Sequence, residues 1–274
     1  MTVQTSVTPS LQPNTFPAQA KPEQRDVVMD VRSLEIVFPV YSNPGDMSLF
    51  YTLARAGGGR FKREGSSKAV IVHALRKVSL KLHEGERLGI IGRNGSGKST
   101  LLRAMGGYIS PYRGSIDVRG TVGTLIDLGI GINGDRSAHE NVRFTGKLAG
   151  LDKTGMAAFH EDVEGFADIG AFYHLPFDTY STGMKLRVIF AMVTHFQRDI
   201  LVVDEIFGVG DAHFADKAYD RMVDMVGASK SLVLATHSQE LLRSFCTRAI
   251  WLDGGIVMAE GPVDDVLAAY IEQS

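Results

Sequence analysis

Apolar positions along the chain fall into two spacings. Strand-length runs occupy Val27–Phe38, Val70–Leu82, Leu88–Ile91, Ser115–Val118, Thr121–Leu128, Ile200–Val203 and Leu232–Ala235. The runs at Ile200–Val203 and Leu232–Ala235 are apolar without alternation, as central parallel strands buried on both faces require. Ala249–Leu252, Asp253-Gly254-Gly255 and Ile256–Ala259 read as two strands joined by a tight turn. Helical spacing appears over Leu101–Met105, over Ala138–Gly170 (Val142, Phe144, Leu148, Phe159, Val163, Phe166, Ile169), over Met184–Phe196 and over Pro262–Glu272. Together these predict an α/β core carrying a largely helical subdomain over roughly residues 130–185.

Two stretches break the pattern. Residues 1–26 contain prolines at 9, 13, 17 and 22 among Gln, Thr and Ser, the composition of a disordered tail. They lack the basic start and apolar centre of a secretory signal. Residues 42–68 interrupt the strand pattern with the patch Met47–Ala54 and the flexible basic stretch GGGRFKREGSSK, which reads either as a surface excursion or as a contact for a partner or lipid headgroups. The remaining residues, 27–274, are long enough for one large domain. A net charge of −2 supplies no basic field for nucleic acid, so none is expected as a partner. The single cysteine, Cys246, excludes an internal disulfide framework and points to a reducing compartment. No apolar stretch approaches the length of a membrane span.

The chemistry starts at Gly92. The segment Gly92-Arg93-Asn94-Gly95-Ser96-Gly97-Lys98-Ser99-Thr100 fits G-x-x-x-x-G-K-[ST], between a predicted strand and a predicted helix. Its glycines let the backbone turn its N–H groups inward around a polyphosphate. Lys98 offers a point charge to the terminal phosphates, and Ser99 a hydroxyl for Mg²⁺. The following helix presents the positive end of its dipole. The ligand is therefore read as a nucleoside triphosphate with Mg²⁺.

A second acidic element follows. The strand Ile200–Val203 ends in Asp204-Glu205. At the carboxyl edge of an open sheet, Asp204 can hold Mg²⁺ through its water shell and Glu205 can deprotonate an attacking water. Tyr180-Ser181-Thr182-Gly183-Met184 precedes an apolar helix, which places Ser181 and Gly183 at another anion-favouring helix start. A plain Ser N-cap reading accounts for Ser181 on its own.

Phosphate loop, helical insert, YSTGM, VVDE and then Ala235-Thr236-His237, in that order, resemble the nucleotide-binding subunit of ABC transporters over about residues 27–272. The resemblance implies a P-loop NTPase core with a mainly parallel sheet, an antiparallel β-subdomain and a helical subdomain. It implies two ATP molecules, with Mg²⁺, at the interface of a head-to-tail homodimer. Ser181 and Gly183 of one copy would meet the γ-phosphate held by the other. His237 matches the switch histidine, Glu205 the catalytic base and Asp211 the loop between the two sites. Phe38 lies where the family stacks an aromatic on adenine, with Tyr41 as its rival. Asp127 stands where the family has glutamine, and is a possible metal contact. YSTGM, Leu125–Gly131 and the VVDE…GVGD run look like the ATPases that export O-antigen, capsule or teichoic acid. Such a subunit works with a separate integral membrane permease at the cytoplasmic face of the bacterial inner membrane, moving a lipid-linked glycan. The alternatives are an ABC ATPase for another cargo and a non-transport ABC ATPase.

Overall fold

A computed structural model describes residues 25–41, 61–63, 69–126, 129, 131–204 and 212–273. The first half runs β1 (Val27–Tyr41), β2 (Phe61–Arg63), β3 (Ala69–His83), β4 (Arg87–Ile91), α1 (Lys98–Met105), β5 (Arg113–Val118) and β6 (Val122–Leu125). There follow α2 (Ala138–Leu148), α3 (Lys153–Ala167), two 3₁₀ turns (Gly170–His174, Phe177–Thr179) and α4 (Thr182–Thr194). The chain continues through β7 (Ile200–Asp204), α5 (Ala212–Ala228), β8 (Ser231–Ala235), α6 (Gln239–Phe245), β9 (Arg248–Asp253), β10 (Ile256–Pro262) and α7 (Val263–Glu272).

Two compact units result. The first comprises the described residues up to Val122, Asp199–Asp204 and those from Lys230 onward; the second comprises Gly123–Arg198 with α5. In the first, an antiparallel sheet has the order β2-β3-β1-β5. Its two long strands are in register at Val31↔Leu80 and Phe38↔Val72. The larger sheet runs β10-β9-β4-β8-β7 within this unit. From β9 to β7 it is parallel, and the β9–β10 pair is antiparallel. β4, β8 and nearly all of β7 are buried, which explains their unbroken apolar runs. Burying side chains such as Leu88, Ile90 and Leu234 contributes about 1.5–3 kcal/mol each.

The second unit is helical. Ser137 and Glu140 form a capping box that starts α2, and Asp152 caps α3. Its core stacks Phe166 on Phe190 at 5.6 Å and sets Phe214 edge-on to Phe166. Arg221 of α5 grips Asp162 of α3 through two hydrogen bonds of 2.8 and 2.6 Å. His195 meets the same carboxylate at 2.7 Å.

The departures from sequence expectation are local. β1 runs to Tyr41, because its pairing with β3 continues through Tyr41↔Ala69. The basic excursion is not irregular throughout, since β2 inside it pairs Phe61 with Val72. The strand expected over Thr121–Leu128 ends at Leu125. The helical span over Ala138–Gly170 is two helices, broken where Gly150 turns to φ +75° and Asp152 opens the next cap.

Candidate functional site

Parallel register assembles the site in the first unit. Ile90 and Asp204 both align with Ala235, so β4, β8 and β7 end at the same edge of the sheet. The loop after β4, the carboxylate ending β7 and His237 just beyond β8 therefore converge there, where open α/β sheets bind ligands. A cleft of about 260 Å³ is lined by Asn94, Gly95, Gly97, Lys98, Ser99, Thr100, Asp204 and His237 on this side. Val72, His73 and Ala74 of β3 form its other wall.

The loop is a tight backbone cradle. Gly95 and Gly97 adopt φ +76° and +110°, and Ser96 N–H donates to Arg93 O at 3.0 Å. Gly97 caps α1 without a side-chain acceptor, so the first N–H groups of that helix meet no capping side chain. A Cβ on Gly92 would lie 2.1 Å from Leu252 O, which leaves no room for any other residue there. Ser96 lies buried beneath the loop, and its Oγ has no hydrogen-bond partner among the described residues. Lys98 is buried, and its Nζ donates to Gly92 O at 2.7 Å and Arg93 O at 3.3 Å. It stands 3.4 Å from His237 Nε2. An ammonium is only a donor, so Nε2 accepts in that contact. The Ser99 hydroxyl and the Asp204 carboxylate share the cleft, and such hard oxygen ligands suit Mg²⁺.

Phe38 is 41% exposed and pairs with Val72, which lines the cleft. The Tyr41 side chain lies outside the described part of the molecule, as do Asp127, Glu205 and Asp211.

Ser181 and Gly183 belong to the second unit. The Ser181 hydroxyl caps α4, accepting from Met184 N–H at 3.3 Å. Among the described residues, a Cβ on Gly183 would meet no atom nearer than Ser181 Oγ at 4.0 Å. Both residues border a depression of about 350 Å³ with Asp168, Phe172 and Arg187. Tyr180 has a different role from its neighbours. It is buried, donates to Phe172 O at 2.6 Å and accepts from Ala138 N–H at 3.1 Å, fastening the YSTGM segment to the start of α2. Neither that role nor the β3 wall of the cleft carried a motif signal. Among the described residues no His, Cys, Asp and Glu group forms a metal-binding cluster.

A family model described as "ABC transporter" matches residues 75–208. The O-antigen export system ATP-binding protein RfbE of Yersinia enterocolitica is 36% identical over 229 residues, covering 84% of this chain and 95% of that protein. RfbB of Myxococcus xanthus, also an O-antigen export system ATP-binding protein, is 40% identical over 78% of this chain and 48% of its own length. The teichoic acids export ATP-binding protein TagH of Bacillus anthracis is 38% identical over 73% of this chain and 36% of its own. The chain thus spans about half or less of RfbB and TagH. An ATP-binding cassette solved as a dimer with ADP and Pi superposes with a TM-score of 0.62 at 19% identity, covering 86% of this chain and 98% of that one. The ATP-binding subunit of an ABC transporter reaches 0.64 at 20% identity, covering 89% and 93%. At such identities the structural likeness establishes the fold.

Proposed function

The chain belongs to the ABC transporter family, and from that premise we propose that it is the ATP-hydrolysing subunit of an exporter of lipid-linked surface polysaccharide. The observation that supports the cargo most is the match to RfbE along 95% of that protein. Among the described residues no helix is long and apolar enough to cross a membrane, which fits a peripheral subunit beside a separate permease at the inner membrane's cytoplasmic face.

Each residue's role follows from its chemistry. The backbone of Gly92–Thr100 wraps the β- and γ-phosphates, and Lys98 exchanges its carbonyl partners for phosphate oxygens. Ser99 and Asp204, with Asp127 a further candidate, would hold Mg²⁺, which when bound neutralises phosphate charge. His237, whose Nε2 lies 3.4 Å from the Lys98 ammonium, would turn a ring N–H to the terminal phosphate. Glu205 removes a proton from the attacking water. Phe38 or Tyr41 stacks on the adenine. Ser181 and Gly183 of a second copy close the site across a head-to-tail homodimer, and Asp211 links the two sites. ATP thereby bridges two chains, and loss of the γ-phosphate releases them.

The test is genetic and biochemical. Deleting the gene should remove the surface glycan and leave lipid-linked polymer inside the cell. Wild type should restore export and Glu205→Gln should not. The purified Glu205→Gln protein should keep its ATP affinity and lose roughly 10²-fold of its turnover. Unaltered surface glycan after deletion would sink the cargo assignment, and near-wild-type turnover would sink Glu205 as the base.

A further inference from the structure

A loop that points its N–H groups at a ligand must turn its carbonyls outward, and each buried carbonyl needs a donor. The donor for Ser96 O is the Gly255 N–H at 2.9 Å, from the Asp253–Gly255 turn between β9 and β10. The same residue's carbonyl accepts from Arg76 N–H of β3 at 2.8 Å. One residue therefore ties the phosphate loop to the strand whose Val72, His73 and Ala74 form the facing wall of the cleft. The strand leading into this turn reaches the loop a second time, where Leu252 O closes against Gly92.

The seat has no slack. Gly255 holds φ +78°, and a Cβ there would lie 2.4 Å from Ala74 O and 3.0 Å from Ala74 C. Both obstacles are backbone, which cannot swing aside as a side chain end can. Gly97, at the loop's far end, would put its own Cβ 2.8 Å from the same Ala74 O.

We propose that Gly255 is a positioning residue for the nucleotide: it sets the spacing between the phosphate loop and β3, so that loop and wall grip one ligand. This rests on the reading of Gly92–Thr100 as a triphosphate cradle. With a Cβ at position 255 the turn backs away from β3 and draws its amide from Ser96, and the cleft loosens without losing a ligand-contacting group.

Gly255→Ala should raise the Kd and KM for ATP about tenfold, the worth of one hydrogen bond, with kcat at saturation kept within about twofold. Gly150→Ala is the control. Gly150 has φ +75° and, among the described residues, no atom within 4 Å of its Cβ, so it carries the same left-handed strain in the other unit. It should lower the melting temperature and leave the Kd at the wild-type value. An unchanged Kd for Gly255→Ala, or an equal loss in Gly150→Ala, overturns the proposal. Should Gly255→Ala fail to fold, hydrogen exchange on the wild-type protein decides. Adding a non-hydrolysable ATP analogue should slow exchange of the Gly255 amide, and an unaltered rate overturns the brace. If wild type binds no ATP at all, the triphosphate reading fails first, and the two failures are thereby separate.

Discussion

Removing the Lys98 ammonium tests the cradle most directly. The residue is 7% exposed, and its ammonium is held at 2.7 Å from Gly92 O and 3.3 Å from Arg93 O. Both acceptors are neutral carbonyls, so moving the ammonium to phosphate oxygens exchanges ordinary charge–dipole bonds for charge–charge ones. A hydrogen bond to a charged group contributes about 1.5–3 kcal/mol, so Lys98→Ala should raise the Kd for ATP by about ten- to a hundredfold. The truncated side chain leaves Gly92 O facing the space the ammonium filled, which water can enter from the cleft, so stability should change little. Titration with a fluorescent ATP analogue, beside a denaturant melt without nucleotide, reads the two effects separately. Lys98→Arg should not restore affinity, since a planar guanidinium does not fit among the same close carbonyls. An unchanged Kd in Lys98→Ala would refute the assignment of the loop. A loss of affinity matched by collapse of the unliganded fold would instead make Lys98 a structural cation.

Two further outcomes are expected. In a head-to-tail dimer, a Lys98→Ala chain and a chain carrying Ser181→Ala with Gly183→Asp are each inactive alone. Mixed, they form one intact site, so phosphate release should recover on mixing; no recovery means that the two motifs do not meet across chains. In the helical unit, burial first, then nearby His139, lowers the His160 imidazole below the ordinary 6.5, with Glu164 opposing. His160 stacks on His139 at 4.4 Å, meets the Tyr173 hydroxyl at 3.0 Å and lies near Arg143 and His174. The fold therefore favours the neutral ring, and the unfolded chain takes up the proton first. Stability should fall as pH drops through the unfolded value, and His160→Gln should flatten that slope between about pH 7.5 and 5.5. Identical slopes for the two proteins would remove His160 as the cause.

What could be read from the chain was what local spacing encodes. The glycines of the phosphate loop, the unbroken runs at Ile200–Val203 and Leu232–Ala235 and the carboxylate after the first of them carry their own conformational logic within a few residues. What escaped depends on partners distant in sequence. Asp253-Gly254-Gly255 reads as a hairpin turn and is one, yet nothing beside it indicates that its last amide serves Ser96. Nor does anything near Glu86 in the sequence indicate that it is buried against Arg248 at 2.5 Å. Tyr180 is buried beside exposed Ser181 and Thr182, and only the path of α2 shows why an aromatic hydroxyl is needed there. Ala138–Gly170 reads as one helical span, and the break at Gly150, with Met156 packed against Gly146, emerges only once the two helices meet.

The order of strands has a consequence for synthesis on the ribosome. β4 is flanked in the sheet by β8 and β9, and both come after residue 230. About 140 residues separate the end of β4 from the start of β8. At a typical translation rate of about 5–20 residues per second, the apolar strand before the phosphate loop waits roughly 7–30 s for a neighbour. During that interval His237 is not yet made and Asp204 has no Ala235 to align with, so the cleft beside the Gly92–Thr100 loop is not yet built. The strand ladder thus delays nucleotide affinity until the sheet is nearly whole, and leaves Leu88–Ile91 as the stretch a chaperone would have most reason to hold.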